Sequence, residues 1–181
     1  MITKCSTGGM LLISLVLSAC VSLKDITPEQ QVRAMGLIDQ GVLLMRQGEL
    51  DRAEAAFQVS AEISPGAAAS VGLGCVALLK GELDRAERFF IQALESDSSY
   101  SEALGNLALL YEQTGELDLA ERYYLSGLDQ DPSNFRIRNN YAIFLAQCER
   151  ADPGQVRRHL LRAAILHESP IVAANLERLL Q

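Results

Sequence analysis

Tryptophan is absent from the chain, histidine occurs twice and proline five times in 181 residues. With only His159 and His167, and no third ligand in view, a histidine-built metal centre is not expected; the two read as ordinary surface or packing residues. No glycine-rich phosphate loop and no nucleophile elbow occur, so no cofactor and no catalytic function are expected. Runs of β-branched residues bounded by turn signals are missing, which excludes an extended sheet. Basic residues are outnumbered, 16 against 23 acidic, for a net charge of −7. A surface read as acidic and without a basic cluster argues against nucleic-acid binding, which needs Lys and Arg to replace counterions. What remains is a chain that is 49% hydrophobic and dominated by Ala, Leu, Glu and Gln, all strong helix formers.

An apolar run lies near the start. Lys4 precedes Met10 to Leu17, a stretch too short for the ~20 residues that span a bilayer. Residues 1–19 therefore read as a secretory signal. It ends Leu17-Ser18-Ala19-Cys20, which resembles the bacterial lipobox. The resemblance implies that Cys20 carries the lipid and that cleavage precedes it. Two or three acyl chains hold a protein on a membrane stably, where one alone does not. Val21 follows in place of the Asp that serves as an inner-membrane retention signal in enteric-type bacteria. The expected location is the periplasmic face of the outer membrane, with residues 20–26 as a lipidated tether.

Self-comparison of the rest shows one turn three times. Gly48-Glu49-Leu50-Asp51-Arg52-Ala53-Glu54 recurs from Gly81 and, with one change, from Gly115, at spacings of 33 and 34 residues. The third unit has Leu107-Ala108, Tyr111, Ala120, Tyr124 and Pro132; the second has Leu73-Gly74, Ala77, Ala86, Phe90 and Ala93; the first has Gly41, Leu44, Ala53, Phe57 and Pro65. This pattern resembles the tetratricopeptide repeat (TPR), a helix–turn–helix unit of about 34 residues. The expected fold is an all-α TPR solenoid over 27–181, with repeats at about 34–66, 67–100, 101–134 and 135–168 and a capping helix at 170–181.

Each recurring residue has a physical role. Gly48, Gly81 and Gly115 can take the left-handed conformation that ends the first helix of a repeat, helix A. Asp51, Asp84 and Asp118 are placed to cap helix B, with a Glu three residues on as box partner. Gly41, Gly74 and Ala108 let the two helices approach, and Phe57, Phe90 and Tyr124 fill the space between repeats. Upstream, Thr27-Pro28-Glu29-Gln30 predicts a capped helix from Pro28 to about Gln47. Downstream, Phe135–Ala146 and Pro153–His167 form a degenerate fourth repeat, with Val156, Leu160 and Ala163 in the helix B slots. Ser169-Pro170 opens a last helix with Ile171, Leu176, Leu179 and Leu180 as its apolar positions.

The TPR resemblance also implies a site. Positions 2, 5, 9 and 12 of each helix A face the concave groove of such a solenoid. The groove candidates among them are Met35, Ile38, Val42 and Met45, then Val71, Cys75 and Leu78, then Leu109, and finally Arg136, Asn139 and Ile143. Asn106 and Asn140 lie at position 6, where amides can clamp a peptide backbone. The groove is expected to be apolar in its first half, suited to an apolar peptide or strand, and polar in its second. Two other assignments stay open: that the chain's own N-terminal segment fills it, or that some of these residues are core. The basic residues of a carboxylate clamp are missing, since Ile38, Val42, Val71 and Cys75 stand in their places. Cys75 and Cys148, more than two repeats apart, are expected to be free thiols.

Asn139-Asn140-Tyr141-Ala142-Ile143-Phe144-Leu145 resembles a segment of the type IV pilus pilotins, outer-membrane TPR lipoproteins that help a secretin localise and assemble. Those proteins commonly have six repeats, and this unit is third there but fourth here. The resemblance implies a membrane-anchored scaffold for a protein partner such as a secretin or pilus component. A lipoprotein of a tight-adherence pilus, and an adaptor recruiting a periplasmic protease or cell-wall enzyme, are the alternatives.

Overall fold

The computed structural model describes residues 26–148 and 152–179. The signal, Cys20, the tether up to residue 25, part of the fourth repeat's turn and Leu180 lie outside them. Nine helices follow one another among the described residues, with no strand: α1 (Pro28–Arg46), α2 (Leu50–Ile63), α3 (Ala67–Leu79), α4 (Leu83–Ser96), α5 (Ser101–Thr114), α6 (Leu117–Gln130), α7 (Phe135–Gln147), α8 (Pro153–Leu166) and α9 (Pro170–Leu179). The expected four repeats and terminal helix are all present. None of these helices is long and apolar enough to cross a membrane.

Local chemistry starts and stops the helices. Thr27 accepts from the Gln30 amide at 3.2 Å and Gln30 returns a bond to the Thr27 amide at 2.9 Å, a complete capping box ahead of Pro28. Gly48, Gly81 and Gly115 have φ of +78°, +78° and +84°, the left-handed region. At each, two amides fold back on the helix end. The Gly48 amide donates to Met45 O at 3.0 Å and that of Glu49 to Leu44 O at 3.0 Å; the Gly81 and Glu82 amides repeat the pair on Leu78 and Ala77. This Schellman pairing needs a residue tolerant of positive φ, which is why the glycine recurs.

The carboxylates of the turn act differently from the expectation. Helix B begins two residues earlier, with Glu49, Glu82 and Glu116 at the N-cap and no side-chain cap bond. Asp51, Asp84 and Asp118 lie in the first turn, where the helix dipole favours an anion. Nor is the following Glu a box partner, since it reaches the next repeat. Glu54 accepts from Lys80 at 2.7 Å and also pairs with Arg85. Glu87 accepts from the Tyr111 hydroxyl, and Glu121 from Tyr141 at 3.1 Å. Lys80, bonded directly to Glu54, holds its carboxyl below the usual range.

Packing follows the repeat. Phe57 is fully buried between α1 and α3: a Cβ added to Gly41 or Gly72 would lie 2.7 or 2.4 Å from its ring. Phe90 meets Gly74 at 2.4 Å by the same measure. Helices A approach closely in succession (α1 with α3, α3 with α5, α5 with α7, α7 with α9), whereas the backbones of successive helices B stay apart among the described residues, α2 and α4 being bridged by the Glu54–Arg85 ion pair. The stack therefore curves with helices A on its inner side.

The C-terminal end departs from expectation in one residue. Val172, not Ile171, is the buried anchor of α9, at 2% exposure against 68%. Leu176 and Leu179 do pack against the core. In α8, Val156, Leu160 and Ala163 are buried as expected. His159 stands edge-on to Tyr141, ring centroids 5.0 Å apart. Burial holds its imidazole below the ordinary value, and Arg138 and Arg158 add to the effect. The unfolded chain takes up that proton near pH 6.5 and the folded chain only at lower pH. Stability from this group is thus full above about pH 6.5 and falls as the pH drops below it. Urea unfolding at pH 7.5 and 5.5 is expected to show a larger acid loss in the parent than in His159→Phe.

Candidate functional site

Helices A converge on a groove of about 410 Å³ on the inner side of the stack. Its first wall comes from Ile38, Val42 and Met45 of α1 with Val71 and Cys75 of α3; the facing wall comes from Asn106 and Leu109 of α5 with Arg136 and Asn140 of α7. The pocket therefore straddles the boundary between the apolar and polar halves.

Four residues expected there lie elsewhere. Met35, 57% exposed, lines a smaller depression beside the end of α2. Leu78 packs half-buried against the core. Asn139 is buried, donating to Asn140 Oδ1 at 3.3 Å and accepting from Asn175 of α9 at 3.0 Å. The groove-facing positions of a TPR assume that another repeat follows; here α9 covers that side of α7 instead. Ile143, one turn on, is half-buried and outside the pocket lining.

Other residues join the site unannounced. Tyr100 and Asn134 line it from the helix starts and Arg46 from the end of α1. Asn134 caps α7 through the Ile137 amide at 3.2 Å and donates to Ser101 at 3.3 Å, which ties two repeats together at the rim. Its place just ahead of Phe135 was the available signal for a cap. Glu102, Arg46 and Arg136 give the rim both signs of charge.

The Cys75 thiol is pushed up to about 11 by burial, so it stays protonated and inert at neutral pH. Both Cys75 and Cys148 are free. Among the described residues no group of three His, Cys, Asp or Glu is placed to bind a metal. Asn106 Nδ2 spends its bond on Cys75 Sγ at 3.5 Å, a weak acceptor that a peptide carbonyl would displace. An extended segment laid across the groove would meet apolar walls at one end and amide donors and acceptors at the other.

Comparison with known proteins agrees with this architecture. A tetratricopeptide repeat family profile matches residues 31–68 and 71–135. No curated protein sequence matches the chain. Among solved structures, pilF of Pseudomonas aeruginosa is similar at a TM-score of 0.71 and 22% identity, covering 84% of this chain and 69% of that one. TTC0263, a TPR protein of Thermus thermophilus, gives 0.70 and 17% over 81% and 80%. The first TPR of Spaghetti (RPAP3), bound to an HSP90 peptide, gives 0.56 and 19% over 63% and 91%. At these identities the likeness is one of fold; the matched repeats, their left-handed glycines and the stacked helix pairs make this chain a member of the tetratricopeptide repeat family.

Proposed function

We propose that the protein is a lipid-anchored scaffold on the periplasmic face of the outer membrane, and that its groove holds an extended segment of a protein that builds a type IV pilus or secretin machine. The observation that carries this is the groove itself: apolar walls from α1 and α3 continuous with the amides of Asn106 and Asn140. Binding in a concave solenoid surface is what this architecture offers. The lipobox-like Leu17 to Cys20 supports the anchor, and Val21 supports the outer membrane. The likeness in fold to pilF and the pilotin-like segment 139–145 support the pilus assignment.

The test is capture from detergent-solubilised envelopes by the tagged full chain. Recovery of a secretin or pilus subunit is expected. Val71→Glu or Met45→Glu, which puts a charge on an apolar wall, is expected to reduce capture at least tenfold with circular dichroism unchanged, because an unpaired carboxylate must be desolvated on binding. Undiminished capture by both variants would remove the groove from the reading, and recovery of a hydrolase alone would favour the adaptor role.

A further inference from the structure

The repeat supplies its own controls for α8, because the four helices B occupy equivalent places in the stack. The position after the small-residue slot holds Glu54 in α2, Glu87 in α4 and Glu121 in α6; eight residues on stand Glu62, Glu95 and Asp129. In α8 these two places hold Arg157 and Ile165. Between them, Gln58 in α2 is matched by Ile91, Leu125 and Leu161, and Val59, Gln92 and Ser126 give way to Arg162. The charge of the chain divides accordingly. Residues 34–134 carry seventeen acidic against six basic residues, and 135–168 carry six arginines against three acids. Three of those six arginines, Arg157, Arg158 and Arg162, lie together on α8, a local excess of positive charge that the acidic total conceals.

The geometry of that cluster is specific. Leu161 and Ile165 stack on successive turns, 42% and 84% exposed. At 100° per residue, Arg157 flanks this strip on one side, and Arg158 and Arg162 on the other. All three arginines are exposed, and among the described residues Arg158 makes a 3.6 Å contact to exposed Asp152. The absence of a tyrosine in α9 to receive a glutamate accounts for losing the Glu at 157. It does not account for an arginine there, nor for isoleucine at 165. The face is convex, so it suits a flat surface. An apolar strip between guanidiniums that can lift their heads into water is what an interfacial helix offers to anionic lipid.

We infer that the outer face of α8 rests on an anionic phospholipid surface, while the acidic outer faces of α2, α4 and α6 are held off it. The inference is independent of the lipid anchor, and so is its test. The chain has no tryptophan, so Ile165→Trp makes a single reporter, placed here in the full chain carrying Cys20→Ala. Its emission is expected to shift to the blue with vesicles containing phosphatidylglycerol and not with phosphatidylcholine alone. Adding Arg157→Glu and Arg162→Glu is expected to raise the lipid concentration for half the shift about 25-fold or more, each basic residue at an anionic surface being worth about fivefold. Leu125→Trp on α6 is expected to stay unshifted. The inference is overturned if the anionic vesicles leave the α8 reporter unmoved, if both lipids shift it equally, or if the α6 reporter responds as strongly. A cross-link from position 165 to an acidic envelope protein, with no response to vesicles, overturns it in favour of a protein partner.

Discussion

Phe57→Ala is expected to cost about 3–5 kcal/mol, the range for emptying a fully buried phenylalanine site. Whole domains of this kind have only about 5–15 kcal/mol of stability. The ring lies against Gly41 of α1 and Gly72 of α3, so the cavity opens on the seam between the first and second repeats. Neither wall can refill it, since glycine has no side chain to move in. Solenoid stability is a sum of repeats and their interfaces, so α1 and α2 are expected to unfold at lower denaturant than the rest. Urea unfolding should turn from one transition into two. The variant should also lose partner capture, since Ile38, Val42 and Met45 leave with α1. Gly72→Ala approaches the same seam from the other side. Its new methyl would lie 2.4 Å from the ring, an overpacking expected to cost about 1–3 kcal/mol. A single transition at the parental midpoint for Phe57→Ala would show that the seam does not couple the two repeats.

Cys20→Ala is expected to move the protein from the membrane fraction to the soluble one. Acyl chains contribute about 0.8 kcal/mol per buried methylene, and two or three of them hold a protein essentially permanently. No helix among the described residues could replace them as a span. Fractionation of envelopes, with mass spectrometry of the N-terminal peptide for the added lipid mass, checks both halves of the expectation. An alanine variant still in the membrane fraction, with no lipid mass on the parent's Cys20, would refute the anchor. Any attraction of α8 to anionic lipid is separable, because high salt weakens it and leaves acyl anchoring in place.

Much of this fold was legible because its determinants are local. The glycine at the end of helix A is required by a backbone angle, and a required angle leaves a fixed residue at a fixed period. The roles of Glu54, Glu87 and Glu121 were not legible. A Glu three residues after an Asp reads locally as a capping box, and nothing local reveals that its partner is Lys80, Tyr111 or Tyr141 on the next repeat. Ten residues of α9 give too few turns to fix the phase of an apolar pattern, so the pattern favours Ile171 where Val172 is the anchor. In the groove, nine of the thirteen expected residues share one pocket. Asn139 was misplaced because sequence position does not say that α9 takes the place of a further repeat. Net charge, an average over the chain, hid the arginines of α8.

Helices A pack closely along the inside of the curve, while the backbones of the described helices B stay apart along the outside. Mechanically, the stack resembles a leaf spring hinged on its inner edge. A pull on the far end would first change its curvature, spreading or narrowing the gaps between helices B, before any helix pair separates. Because the groove lies on the hinged edge, that bending alters the spacing between Val71 and Asn140, and load becomes a variable that sets how tightly a bound segment is held.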